Sequence, residues 1–178
     1  MKLLSRMPQA ERDQLVRFAL SFAAIIVGWA VAHDLYLIHV EPRHFTEYHR
    51  PLLPITDLRL LALQYATVAT LGPGLVFGAL AYLACRVGPW PRLGLRPVAL
   101  GFAGVIALGE CVILALGAYS LSRYKSGGAP LYPLALYPDT TPGIVHSQSV
   151  NISAYLIAPA LGALYLFALW LRRRSRNG

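Results

Sequence analysis

Apolar residues run along this chain in four long stretches, with polar and charged residues gathered between and beyond them. The stretches reach from about Phe18 to Val40, Leu58 to Cys85, Val98 to Leu121 and Val150 to Leu171. Each is long enough to cross about 30 Å of hydrocarbon, which takes roughly 20 helical residues. Lipid leaves the edge of an open strand without hydrogen-bond partners, so the four stretches are predicted as helices. Segments 41–57 and 122–149 collect the Pro, Gly and polar residues of loops. The short link 86–97 makes the second and third helices antiparallel neighbours. Residues 7–17 are predicted as a short interfacial helix leading into the first span. The pattern therefore predicts an all-α, integral membrane four-helix bundle forming one domain over residues 1–178.

Composition agrees with this reading. Hydrophobic residues make up 56% and charged residues 13% of the chain, against about a quarter charged in an ordinary soluble domain. A disordered chain is excluded, and a water-soluble globule fits poorly. The net charge of +8 does not point to nucleic acid, because the basic residues stand at the ends of the apolar runs. Cys85 and Cys111 are too few for a disulfide framework and form no C-x-x-C pair.

Charge also predicts orientation. One side collects Lys2, Arg6, Arg12, Arg17, Arg86, Arg92, Arg96, Arg172, Arg173, Arg174 and Arg176; the other collects Arg43, Arg50, Arg59, Arg123 and Lys125. Eleven against five places both termini in the cytoplasm by the positive-inside rule, as in a bacterial inner membrane, with the basic face against anionic headgroups. Asp34, Glu41, Glu47, Asp57 and Asp139 leave the outer side formally neutral. The leader, the run Phe18–Trp29 and Ala30-Val31-Ala32 also resemble a cleavable signal peptide. Cleavage after Ala32 would leave His33 as an N-terminal copper chelator. The long charged leader favours a retained anchor helix.

Small residues predict how the helices meet. The second offers Gly74-x-x-x-Gly78, the third a stripe of Gly104, Ala107, Cys111, Ala115 and Ala118, and the fourth Ala154, Ala158 and Gly162. Pro73 and Pro159 each stand thirteen residues before an arginine, Arg86 or Arg172. This match hints at a two-helix duplication, and paired interruptions can mark a transport site at the bilayer midplane.

The polar chemistry lies mostly outside. All five histidines, His33, His39, His44, His49 and His146, fall on the outer side, and Asp34, Glu41 and Glu47 are interleaved with the first four within 17 residues. Imidazole and carboxylate suit copper, zinc or iron, although the spacing matches neither H-E-x-x-H nor a helical His pair. The five histidines are expected to converge, with about two or three imidazoles reaching one metal ion and Asp34, Glu41 or Glu47 completing its shell. The rival is an interfacial cap or docking surface, with Arg43, Arg50 and Arg59 pairing Glu41, Glu47 and Asp57. Haem is unlikely, because the second and third helices contain no histidine.

Glu110 is the one carboxylate deep in a span, so it is expected to be protonated or paired. Ala103 and Gly117 share its face, and Gln64, Thr67, Thr70 and Tyr155 are its candidate partners. No family is recognised from these residues. The functional expectation is an accessory subunit of a larger membrane complex, of which an electron-transfer complex is one kind, in contact with lipids and other membrane subunits. A metal-dependent membrane enzyme or small carrier is the alternative.

Overall fold

A computed structural model describes residues 7–49, 52–133 and 140–175; Lys2, Arg6, Arg50, Asp139 and Arg176 lie outside them. The chain is an all-α bundle of four long helices, α1 (Gln9–Val40), α3 (Leu58–Arg86), α4 (Leu95–Lys125) and α5 (Pro142–Arg174). A single turn, α2 (Arg43–Thr46), follows α1. All four long helices are long and apolar enough to cross a membrane, which makes this a multi-pass membrane protein.

Two boundaries differ from expectation, at the start of the first and of the fourth long helix. The interfacial helix is not separate, because residues from Gln9 onward continue straight into the span. The same helix passes through Ala32 and His33 without a break. The fourth helix starts at Pro142, well before Val150: Thr141 caps it by accepting from the Ile144 amide, and Pro142 occupies the first turn, where its missing N–H costs nothing. Helix α3 begins as predicted, since the Asp57 carboxylate accepts from the amides of Arg59 and Leu60.

Helix α1 packs chiefly on α3, and α4 on α5, with looser contact between the two pairs. The α1–α3 contact uses Gly74 and Gly78 as the sequence predicts. A Cβ on Gly74 would lie 2.8 Å from Ala23 Cα, and one on Gly78 would lie 2.6 Å from Ala19 Cα, so the two backbones touch there. The stripe on α4 behaves differently. Gly104, Ala107, Cys111, Ala115 and Ala118 are all exposed, and nothing lies within 4 Å of a Cβ built on Gly104. The face of α4 turned into the bundle carries Phe102, Ile106, Gly109, Ile113 and Gly117 instead.

Both ends of the bundle are tied by charged groups. At the basic end, the Glu11 carboxylate accepts from Arg86 Nε at 3.0 Å, Arg86 Nη2 at 2.8 Å, Arg92 Nη1 at 2.7 Å and the Tyr82 hydroxyl at 2.9 Å. Arg173, fully buried, donates to the carbonyls of Ala84, Val87, Trp90 and Pro91 at 2.6–3.1 Å. The start of α1 and the end of α5 therefore share one end of the bundle. At the opposite end, Glu41 accepts from Arg43 Nε at 2.9 Å and from the Thr141 hydroxyl at 3.1 Å, joining the end of α1 to the start of α5.

Two apolar clusters fill the interior. The one nearer the basic end stacks Phe22, Phe77 and Phe102, with centroids 4.9 Å apart for Phe22–Phe102 and for Phe77–Phe102. The other packs Leu37, Ile38, Phe45, Leu61, Ile113 and Val150. A cavity separates them.

Candidate functional site: a membrane-level cavity beneath a buried histidine–glutamate pair

The cavity holds about 340 Å³, within the range of small-molecule sites. Its walls come from all four long helices: Ile26, Trp29, Ala30, His33 and Asp34 of α1; Ala66, Ala69, Thr70, Pro73 and Phe77 of α3; Phe102 and Ile106 of α4; Asn151, Ala154, Tyr155, Ala158, Pro159 and Gly162 of α5. Ala154, Ala158 and Gly162 line it together, so these small residues keep space open as well as packing helices; a Cβ on Gly162 would lie 2.8 Å from the Phe77 ring. Both prolines lie in the wall. Ala69, Pro73, Tyr155 and Pro159 are also exposed on the outside of the bundle, and Tyr155 is 65% exposed. The cavity is thus bordered by exposed residues along α3 and α5.

At the end away from the Glu11–Arg86 cluster stands the pair formed by His33 and Glu110. His33 is 5% exposed, and its Nδ1 lies 3.0 and 3.1 Å from the two Glu110 carboxylate oxygens. The Trp29 indole N–H donates to Glu110 Oε2 at 2.8 Å. Glu110 therefore finds its partners on α1, not at Gln64, Thr67, Thr70 or Tyr155 as expected. Trp29 and His33 are four residues apart and share a helical face, a signal the sequence carried. Ala103 and Gly117 do not provide the contact; the room at Gly117 is taken by the His146 ring and Val150. Gln64 is buried and works locally, its Oε1 accepting from the Leu53 amide at 2.9 Å.

The remaining outer residues are distributed over separate places. His146 Nε2 is 2.8 Å from the Tyr36 hydroxyl. His44 is buried, with its Nε2 at 3.1 Å from Asn151 Nδ2 and its ring 4.6 Å from that of His49. His49 Nδ1 donates to the His44 carbonyl at 2.6 Å. His39 is exposed and bonds back to the Leu35 carbonyl at 2.6 Å. Glu41 is committed to Arg43 and Thr141, Glu47 is exposed beyond α2, and Asp34 faces the cavity. The expected convergence on copper, zinc or iron is replaced by pairs: among the described residues no three His, Cys, Asp or Glu are placed to hold a metal ion. Comparison with family models, curated proteins and solved structures returns no match.

Electrostatics outside the spans follow from these contacts. The Arg43 guanidinium holds the Glu41 carboxyl below its ordinary range. Burial, with His49 alongside, pushes the His44 imidazole from 6.5 down to about 3. Neutral His44 therefore contributes stability that is fully present above pH 6.5 and is lost progressively as pH falls toward 3. The expected loss is about 2 kcal/mol at pH 5, at 1.36 kcal/mol per pH unit. His44→Gln should flatten that part of the profile, measured as unfolding midpoint against pH. A wild-type profile that is already flat between pH 7 and pH 5 would contradict this.

Proposed function

We propose that this protein binds a lipophilic molecule drawn sideways from the bilayer into the cavity between the helix pairs. The observation that carries this reading is the cavity itself: about 340 Å³, apolar over most of its wall, and bordered on α3 and α5 by residues that face lipid. Packed interiors rarely leave such a space. Proline at two of the bordering positions removes a backbone hydrogen bond from each helix, at a place where the bundle needs close packing least. In this reading the basic end faces the cytoplasm, as in a bacterial inner membrane, and the His33–Glu110 end faces outward.

Ala154→Phe tests the proposal by putting a ring into the cavity. The measurement is saturable binding of a long-chain alkyl probe by protein in lipid nanodiscs. Binding should weaken about tenfold or more, the scale on which loss of a fitted apolar pocket is felt. Unchanged affinity in a folded variant would overturn the reading.

A second reading, an accessory subunit of a larger membrane assembly, draws on the exposed α4 stripe. Gly104, Ala107, Cys111, Ala115 and Ala118 offer the flat surface that membrane helices use to approach one another, and they are exposed among the described residues. The two readings are compatible, because the stripe is formed by α4 while the cavity is bordered by α3 and α5.

A further inference from the structure

The wall of the cavity carries acceptors without a donor, beside the hydroxyls of Thr70 and Tyr155. Asp34 lines it and makes no hydrogen bond or ion pair among the described residues. The neighbouring His33 is held to Glu110 at 3.0 Å. Asn151 has its Nδ2 turned to His44 at 3.1 Å, and its Oδ1 is a further acceptor. His33 Nε2 is buried with no partner; with Nδ1 donating to a carboxylate, a neutral ring presents an acceptor there. Pro73 and Pro159 have no amide hydrogen to offer the carbonyls four residues earlier, those of Ala69 and Tyr155, and both residues lie in the wall.

We propose that the ligand of this cavity is a long-chain amine in its ammonium form, its N–H groups directed to Asp34 with the Trp29 and Tyr155 rings in the surrounding wall. This rests on the lipophile reading above and names the class of ligand within it. An ammonium supplies the positive charge and the donors that the site lacks, and aromatic faces attract a desolvated cation. A carboxylate left alone at this depth is costly, whereas one paired with a hydrogen-bonded cation is not. The apolar tail would run from Asp34 toward Phe77 and Gly162 and leave toward lipid past Pro73 or Pro159. The ligand is thereby oriented as an amphiphile of the outer leaflet.

The test uses a nitroxide-labelled long-chain primary amine and the matching alcohol and trimethylammonium compounds. Each is titrated into nanodiscs holding the full chain with Trp90→Phe and Trp170→Phe, so that Trp29 is the single fluorophore. Saturable quenching is expected to be about tenfold or more tighter for the amine than for the alcohol. Asp34→Asn should remove that advantage, and Asp34→Glu should keep most of it. Ala154→Phe should weaken all the probes. If the alcohol binds as tightly as the amine, and Asp34→Asn changes nothing while Ala154→Phe still abolishes binding, the amine assignment is overturned and the lipophile cavity stands. If Ala154→Phe also leaves every probe unaffected, the cavity reading itself fails. Trimethylammonium binding equal to that of the primary amine would overturn the role given to the N–H donors.

Discussion

Replacing Arg173 by Met should destabilise the protein by about 3–5 kcal/mol, the cost typical of breaking a buried, fully hydrogen-bonded charged arrangement. Arg173 is wholly buried, and its guanidinium donates to four main-chain carbonyls, two of them at the end of α3 and two in the link to α4. Helix ends leave such carbonyls without partners, and here one side chain from α5 serves them across the bundle. Trp90 covers the guanidinium, 5.6 Å from ring centroid to Cζ. Methionine matches the stem in length but leaves the four carbonyls without the donors that Arg173 gives them. Lysine should recover only part of the loss, because a point ammonium cannot reproduce the planar fork. Arg172→Ala, at an exposed position, should stay within about 0.5 kcal/mol of wild type. Unfolding in mild detergent, followed by helical circular dichroism, measures all three. Equal effects at positions 172 and 173 would show that Arg173 contributes only to membrane orientation.

Glu110→Leu should cost about 1–3 kcal/mol, because it removes two interhelical hydrogen bonds at once, and such bonds in membranes are worth up to about 1.7 kcal/mol each. The Trp29 N–H and His33 Nδ1 would lose the carboxylate that lies 2.8–3.1 Å away. Glu110→Gln keeps an acceptor for Trp29 and should be the milder change. Joining His33→Leu to Glu110→Leu should give a smaller loss than the sum, since removing both partners leaves fewer orphaned groups than removing one. The same unfolding assay reads the series. A glutamine variant less stable than the leucine variant, or full additivity of the two leucine changes, would contradict the pairing seen between α1 and α4.

The sequence made the spans legible because hydrocarbon sets their length and forbids other backbone structures. It was less informative about which face of each helix turns inward. In water an apolar stripe marks the buried face, but in lipid both faces are apolar and the contrast fades. That is why the small residues of α4 read as a packing seam yet face outward, while Phe102, Ile106 and Ile113 face in. The Gly74–Gly78 pair was readable because Ala19 and Ala23 on α1 repeat the same four-residue spacing and let two backbones meet.

Rotational phase also separates the histidines. His33 and His39 are six residues apart, which turns them about 240° around a helix, so His33 enters the bundle and His39 leaves it. Membrane level alone suggested that they would meet. Thr141-Pro142 started α5 early enough to carry His146 into the bundle beside Tyr36. Arg173 looked equivalent to its neighbours in a count of positive charge, and only the link between α3 and α4, folded back under α5, distinguishes it.

Molecules from the bilayer are proposed to occupy the space between the two helix pairs. Photolabelling with an apolar diazirine dissolved in the membrane, followed by peptide mapping, tests it most directly. Ala66 and Ala154 are 1% and 7% exposed yet both lie in the cavity wall, so they are reached only by a molecule inside it. Adducts at Ala66 and Ala154, suppressed when Ala158→Phe narrows the space, are the predicted result. Adducts confined to outward positions such as Leu164 and Val76, with none at Ala66 or Ala154, would contradict the account.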